Sequence, residues 1–353
     1  MPTPRSRLRR LTRGLAVASL AAVLVGGAVS ASAHPSASSL RGLRILLTND
    51  DSMRAERPTN SDGLGLYEIR KAFCAAGADV VVIAPWSVQS GRGTAVTNSG
   101  SIQLGSKDLP AGYESDCAGA PAKGVVVGLC VDTVPCTATS PGATPSDTVK
   151  FATRGGLHDI AGWTGEPDLV VSGSNSGLNI ANSVTDSGTV GAAVAAIEEG
   201  IPAVAFSSSA NADNTNFPVE NYRATAEWGA RFVAGLRSNR LLDQHDFALN
   251  VNYPNISAGA SAKRAVWASV SDGTFAYHSY AKQPDGSYKI GLAACSGLPT
   301  CTVTRKDADK TWVLDRGHIT VVPINWDRTY GYPTDKRELA KVKAYVERHA
   351  PRP

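Results

Sequence analysis

Four short polar segments hold the side chains best suited to chemistry. The first, Asn49-Asp50-Asp51, directly follows an apolar run, Leu43 to Thr48. Two adjacent carboxylates repel one another unless a cation or a raised pKa relieves them, and a hard divalent ion is the natural solution. Asn and Asp also favour turns, so this segment taken alone leaves a simple turn open.

Two further segments offer neutral oxygen ligands. Ser87–Gly93 follows a second apolar run and carries the hydroxyl of Ser90, whereas Ser172–Asn179 follows a third and carries the amides of Asn175 and Asn179. Carboxylate, hydroxyl and amide oxygens together select Mg²⁺, Mn²⁺ or Ca²⁺ over metals that prefer softer ligands. The sequence therefore predicts one divalent cation, although each loop by itself is a weak signal, because most such loops are only turns.

The fourth segment, Ser187-Gly188-Thr189, opens a predicted helix. A helix N-terminus presents free N–H groups and a positive dipole end to an anion, and Gly188 would let a phosphate approach the backbone. An ordinary serine N-cap is the alternative. A metal beside an anion site suits phosphoester hydrolysis, because the ion polarises the phosphoryl group and lowers the pKa of a bound water.

The elements that must position these segments alternate between strand and helix. This rhythm predicts an α/β fold with a mostly parallel sheet, in which ligands bind beyond the carboxyl ends of the strands. After Pro254 no clear helix intervenes, which predicts a β-rich extension over residues 255–325. The predicted strands are 43–48, 80–84, 169–172, 203–207, 248–251, 265–270, 288–292 and 318–324, and the predicted helices are 62–76 (capped by Asp62), 146–151 (capped by Ser146), 187–200, 219–236 and 334–349.

The first 33 residues have the pattern of an export signal. Five arginines precede an apolar run, Gly14 to Val29, and Ala31-Ser32-Ala33 follows as a cleavage site. A membrane anchor is less favoured, since the run has about 16 residues where roughly 20 are needed. We expect a secreted or periplasmic protein with no membrane contact after cleavage and a flexible tail over residues 34–42. Arg9-Arg10 leaves a twin-arginine export route open.

The net charge and the cysteines indicate which partners and which disulfides the protein has. The leader holds five of the 35 basic residues and none of the 31 acidic ones, so the remainder has a net charge near −1. This balance argues against a nucleic-acid polymer as partner. Six cysteines in an exported chain indicate disulfides, with 15 possible pairings. Short loops favour Cys130–Cys136 and Cys295–Cys301, leaving Cys74–Cys117; zinc is the alternative. Residues 105–145 are predicted to form an irregular surface excursion that is held by disulfides.

Two other classes of protein fit these residues less well. A serine hydrolase needs a Gly-x-Ser-x-Gly elbow with a histidine and an acid, but Asn175 takes the middle place of the nearest match and the histidines are scattered. A nucleotide-binding protein without catalysis has less need of the Asp50-Asp51 pair. Trp86 could stack on a base, with a core position as the alternative.

In combination, these segments resemble the SurE family of 5′/3′-nucleotidases. The resemblance covers roughly residues 43–330. It rests on Ile45 to Asp51, on Ala84-Pro85 with Ser90-Gly91, and on Gly173-x-Asn175-x-Gly177-x-Asn179 with Ser187-Gly188-Thr189-Val190. The departures are Ser52, where the family commonly has glycine, about ten further residues before Gly63, the cysteine-bearing excursion and the export signal. They leave the choice of substrate open.

The resemblance implies a Rossmann-like core and hydrolysis of nucleoside 5′- or 3′-monophosphates. It implies that Asp50, Asp51, Ser90 and Asn175 hold the cation, with one of the two aspartates also handling a proton. It places Asn179, Ser187, Gly188 and Thr189 by the phosphate. A homodimer or homotetramer built through the β extension is implied too. A broad-specificity acid phosphatase or exopolyphosphatase and a non-catalytic nucleotide-binding protein are the alternatives.

Overall fold

A large mixed β-sheet forms the centre of the protein in a computed structural model, which describes residues 39–57, 59–243, 245–327 and 341. In chain order the strands are β1 Arg44–Thr48, β2 Asp79–Pro85, β3 Ile102–Gly105, β4 Val126–Val131, β5 Leu169–Ser176, β6 Ala203–Ser208, β7 Ala248–Tyr253, β8 Lys263–Trp267, β9 Ala276–Lys282, β10 Tyr288–Ala294 and β11 His318–Ile324. The helices are α1 Leu64–Ala75, α2 Pro145–Phe151, α3 Leu157–Ala161, α4 Ser183–Asp186, α5 Gly188–Glu198 and α6 Val219–Ser238.

The sheet has nine strands within the described ranges, in the order β3-β4-β2-β1-β5-β6-β7-β11-β8. The six strands from β4 to β7 are parallel, β3 and β11 run antiparallel to their neighbours β4 and β7, and β8 is parallel to β11. All seven residues of β2 are buried, as expected for a parallel strand covered on both faces. The predicted α/β fold with a mostly parallel sheet is confirmed.

Helices cover both faces of the sheet. On one face, α1 and α6 pack through apolar side chains such as Leu66, Phe73 and Val233. On the other, α2 and the alanine-rich α5 pack against Leu46 and Val170. Each large apolar side chain removed from water in this way contributes about 1.5–3 kcal/mol. The arrangement holds the carboxyl ends of β1, β2 and β5 at the same edge of the sheet, because these three strands are parallel.

The first turns of two helices differ from the sequence prediction. Helix α1 has Gly63 at its N-cap and no side-chain cap, because the carboxylate of Asp62 instead accepts hydrogen bonds from the backbone N–H groups of Glu56 and Arg57. The prediction of Asp62 as N-cap is therefore wrong. Gly77, with φ 95°, follows the end of α1 as expected.

Helix α2 is capped by Thr144 rather than by Ser146. The hydroxyl of Thr144 accepts the N–H of Asp147 (3.1 Å), and the Asp147 carboxylate accepts the N–H of Thr144 (3.0 Å). This reciprocal pair is a capping box. Ser146 lies inside the helix, where its hydroxyl donates to Gly191 O.

The stretch over residues 105–145 is more ordered than predicted. It contains β4, a strand of the main sheet, whose apolar sequence was hidden among glycines, prolines and threonines. The three disulfides are Cys74–Cys117, Cys130–Cys136 and Cys295–Cys301, as predicted. At the end of the predicted flexible tail (34–42), Leu40 is fully buried and its N–H donates to Ala76 O, whereas residues 34–38 lie outside the described residues.

The β extension consists of two parts. Strands β8 and β11 extend the main sheet, whereas β9, which the sequence did not predict, pairs with β10 in a separate antiparallel hairpin. The extension is fixed to the loop after β5 by polar contacts. Asp309, which is fully buried, accepts hydrogen bonds at Oδ1 from the Ser271 hydroxyl (2.6 Å) and from the Ala181 N–H (3.4 Å).

Two predicted segments are not covered by these ranges. The signal peptide over residues 1–33 lies outside the described residues, and so does the C-terminal helix over 334–349 apart from residue 341. Among the described helices, none is both long and apolar enough to cross a bilayer.

Candidate active site

Asp50 lies directly beyond the end of β1 and is only 2% exposed. Its Oδ2 accepts the N–H of Thr189 (3.0 Å) and its Oδ1 accepts the Thr189 hydroxyl (2.6 Å). Thr189 is in the first turn of α5, so the positive end of that helix faces the carboxylate. Gly188 makes this approach possible, because a Cβ at that position would lie 2.8 Å from the Cβ of Asp50.

Asp51 is 3% exposed and is held by the last residue of β5. Its Oδ2 accepts the N–H of Ser176 (2.7 Å), and the Ser176 hydroxyl lies 2.7 Å from the hydroxyl of Tyr222 on α6. The two neighbouring aspartates are therefore fixed by different elements, Asp50 by α5 and Asp51 by the end of β5.

Both carboxyl groups have raised pKa values. Burial raises the pKa of Asp50 against the opposing effect of its Thr189 hydrogen bonds. Burial raises the pKa of Asp51 well above its usual range, and the negative charge of Asp50 raises it further. A bound cation would relieve both the desolvation and the repulsion of the pair.

Asn175 joins the same cluster through Thr189. Its Oδ1 lies 3.3 Å from the Thr189 hydroxyl, and its Nδ2 donates to Gly177 O (2.7 Å). The amide oxygen is thus turned toward the threonine that binds Asp50. The structure therefore brings together three of the four residues predicted to hold the cation.

Ser90, the fourth, is placed at the edge of the cluster. The backbone N–H of its neighbour Gln89 donates to Asp50 O (2.7 Å), which fixes this loop beside the first aspartate. The side chain of Ser90 itself is exposed. Within the described ranges no hydrogen bond connects it to either carboxylate, so its role as a ligand stays a prediction.

Two residues of the predicted phosphate site, Ser187 and Asn179, are hydrogen-bonded to other parts of the protein. Ser187 accepts the N–H of Val190 (3.1 Å) and so serves as the N-cap of α5. The side-chain amide of Asn179 donates to the Ser207 hydroxyl (3.0 Å), and its backbone N–H donates to Asn252 Oδ1 (2.7 Å). These bonds position both residues, while their contact with phosphate stays a prediction.

The donor set fits a hard divalent cation. The side chains brought together offer carboxylate, amide and hydroxyl oxygens, the ligands that Mg²⁺ and Mn²⁺ prefer. Asn49 Oδ1, beside the pair, is buried without a hydrogen-bond partner in the described part of the chain. The described ranges contain no group of three or more His, Cys, Asp or Glu side chains suited to a metal, so amide and hydroxyl oxygens would have to complete the shell.

Tyr222 is the site residue that sequence reasoning missed. It is fully buried, and burial together with the charge of Asp51 raises its pKa well above 10. Its position in an apolar helix pattern gave no sign of a contact with Ser176, 46 residues away in sequence. Trp86, by contrast, is buried in the core, and its indole N–H donates to Thr137 O.

Comparison with known proteins decides the family. Residues 45–275 match the family model described as "Survival protein SurE". The chain belongs to the SurE family. It is 30% identical over 299 residues to the 5′-nucleotidase SurE of Geotalea daltonii, covering 81% of this chain and 94% of that protein. It is also 30% identical over 301 residues to the 5′-nucleotidase SurE of Cytophaga hutchinsonii, covering 81% and 92%.

A solved SurE structure shares the fold. The crystal structure of the SurE protein from Aquifex aeolicus superposes with a TM-score of 0.57 and covers 86% of this chain and 99% of the other. At 24% identity this likeness concerns the fold alone.

Proposed function

We propose that the protein is a metal-dependent phosphomonoesterase that hydrolyses nucleoside 5′- or 3′-monophosphates to nucleoside and phosphate. The observation that carries the proposal is the buried Asp50-Asp51 pair, joined through Thr189 to the N-terminus of α5. Membership of the SurE family and the names of the relatives support it.

Asp50, Asp51, Ser90 and Asn175 are the residues that would hold one divalent cation, Mn²⁺ or Mg²⁺, with Ca²⁺ also compatible with oxygen ligands. When bound, such an ion supplies positive charge to the phosphoryl oxygens and lowers the pKa of a nearby water.

The protein's own groups would orient the substrate and handle the proton. Asp50 has both oxygens bonded to Thr189, which suits a fixed anionic ligand. Asp51 is held at Oδ2 by the N–H of Ser176, and one of the two aspartates is proposed to take a proton from the attacking water. Asn179 is proposed to lie beside the phosphate, together with Ser187, Gly188 and Thr189 at the start of α5.

We also propose that the protein is exported and that it self-associates. Three disulfides support an oxidising, extracytoplasmic location after removal of residues 1–33. The β9–β10 hairpin exposes large apolar side chains, among them Tyr280, Ile290 and Leu292. An isolated two-stranded hairpin is marginally stable in water, so we infer that a second copy covers it in a homodimer or homotetramer.

The test is phosphate release by the purified protein lacking residues 1–33. The substrates are 5′-AMP, 3′-AMP, polyphosphate and p-nitrophenyl phosphate, each with Mn²⁺, with Mg²⁺ and with EDTA. We expect metal-dependent release from a nucleotide and a loss of at least 100-fold in Asp51→Asn, about 3 kcal/mol in the barrier. Equal rates on all four substrates would indicate a broad phosphatase, and no release with any metal would indicate a binding protein. An Asp51→Asn variant as active as wild type would overturn the assignment of Asp51.

A further inference from the structure

The ten residues that follow Asp51 form a loop that docks beside the candidate active site. This inserted loop comprises residues 52–61, of which 58 is not described. It leaves the site through Ser52, whose φ of 83° lies in the region that favours glycine. At its far end, Asn60 O accepts the hydroxyl of Tyr222 (2.7 Å). The insertion is thus tied to the residue that contacts Ser176.

The inserted loop also fixes the backbone of Phe217, just before α6. The N–H of Phe217 donates to Thr59 O (3.1 Å), and Asn60 Nδ2 donates to Phe217 O (3.3 Å). Both polar groups of this one residue are therefore bonded to the insertion. Without the loop, Phe217 would lose the two contacts that hold its backbone in place.

The ring of Phe217 lies at the rim of the site. It stacks on Tyr222 with centroids 6.5 Å apart and an interplanar angle of 25°. A Cβ on Gly177 would lie 3.7 Å from Cε1 of the ring. Gly177 directly follows Ser176, whose N–H binds Asp51, and its carbonyl accepts the amide of Asn175. The ring therefore lies beside Gly177, which is two residues from Asn175 and next to the residue that binds Asp51.

The exposure of Phe217 suggests a ligand contact. The ring is only half-buried, and it has no polar atom to offer a metal or a phosphate. The exposed part of an aromatic ring is a partner that another flat ring prefers, and stacking of a base on an aromatic side chain strengthens binding by about tenfold or more. In a nucleoside monophosphate the flat group is the base, a short distance from the phosphorus.

We propose that Phe217, held in place by the inserted loop, stacks on the nucleobase of the substrate and sets the preference for nucleotides over base-free phosphate esters. This inference rests on the proposed nucleotidase function. It assigns the insertion, which the family resemblance leaves unexplained, to the positioning of an aromatic specificity residue.

The experiment compares Phe217→Leu, which keeps apolar volume without the ring, with Phe217→Tyr, which keeps the ring. We would measure kcat and KM for 5′-AMP and for ribose 5-phosphate, and the Kd for adenosine by calorimetry. In Phe217→Leu we expect KM for 5′-AMP to rise about tenfold or more, with KM for ribose 5-phosphate within twofold and Phe217→Tyr close to wild type. Asn60→Gly, which tolerates the local φ of 55°, should raise KM for 5′-AMP to a smaller extent.

Equal KM increases for both phosphate esters in Phe217→Leu would make the ring a structural element and overturn the proposal. An unchanged KM for 5′-AMP would do the same. The adenosine measurement separates this inference from the proposed function, because nucleoside binding needs no turnover. If wild type released no phosphate but bound adenosine more tightly than Phe217→Leu, the hydrolase proposal would fail and the stacking role would stand. Thermal melting of each variant checks that it is folded.

Discussion

Thr189 donates two hydrogen bonds to Asp50, one from its backbone N–H to Oδ2 (3.0 Å) and one from its hydroxyl to Oδ1 (2.6 Å). Thr189 lies in the first turn of α5, and Asp50 lies two residues after the end of β1. The pair therefore fixes the helix against the strand end and holds the carboxylate in one orientation. Because both residues are buried, water cannot replace either bond.

Thr189→Val keeps the shape of the side chain and removes its hydroxyl. An oxygen of Asp50 then loses its donor in a buried site, which costs about 1–3 kcal/mol of stability, and we expect phosphate release to fall at least tenfold as the carboxylate shifts. Chemical denaturation and the phosphatase assay measure the two effects. Thr189→Ser is the matched control, and a valine variant indistinguishable from it would contradict the role of the hydroxyl.

A second expectation concerns the close approach of Gly188 to Asp50. In Gly188→Ala the new Cβ would lie 2.8 Å from Asp50 Cβ and 2.9 Å from Pro145 Cγ, so the helix must shift, at a cost of about 1–3 kcal/mol. The same change at Gly235 in α6 meets no atom within 4 Å and should stabilise the helix by about 0.5–1 kcal/mol. We expect Gly188→Ala to lower the melting temperature and Gly235→Ala to raise it. Equal shifts in the two variants would show that Gly188 is not tightly packed against Asp50.

The pH dependence of stability should reveal the buried Asp309. Burial raises the pKa of this carboxyl above its ordinary value of 3.8, so the folded chain holds the proton more tightly than the unfolded chain. This contribution to the free energy of unfolding is present below about pH 3.8 and is lost as pH rises through the raised pKa. Asp309→Asn lacks the titration but keeps an acceptor for Ser271.

Relative to Asp309→Asn, wild type should therefore become less stable as pH rises from about 4 toward neutrality. Urea unfolding of both proteins across this range measures the difference, in which the other titrating groups cancel. A constant offset between the two curves would show that the Asp309 pKa is the same in the folded and unfolded chains.

The disulfides should contribute unequally to stability. Cys74–Cys117 closes a sequence separation of 43 residues, whereas Cys295–Cys301 closes one of 6. The loop-closure relation gives about 4 kcal/mol for the first and about 2 kcal/mol for the second. Paired serine substitutions, compared by chemical denaturation, test this order. A larger loss for the short loop would show that local strain or packing, rather than chain entropy, decides the effect.

The sequence predicts the site best where a local pattern also determines where a segment lies in the fold. The apolar runs of β1 and β2 identify buried strands because a parallel sheet is covered on both faces, and the loops beyond them therefore had to converge. Asp50, Asp51 and Asn175 could be placed together for this reason. Strand β4 was missed because its neighbours along the chain have the composition of a loop.

The remaining site residues depend on contacts between distant elements. Tyr222 and Phe217 lie at and before the start of α6, and nothing in their local pattern indicates that the inserted loop reaches them. Asp62 was predicted as a cap from its type and position, yet its carboxylate binds backbone N–H groups of the insertion instead. Such competition between a local and a longer-range partner cannot be resolved from residue types alone.

The order of strands at one edge of the sheet has a consequence for synthesis. Within the described ranges, the one strand paired with β8 is β11, which lies 50 residues or more further along the chain, roughly a few seconds of translation. A chain that stops before His318 would thus lack two strands rather than one, leaving β7 as a bare edge. The last step in closing this sheet depends on residues 318–324, so a ribosome-bound chain remains open on that side until residue 324 has been synthesised.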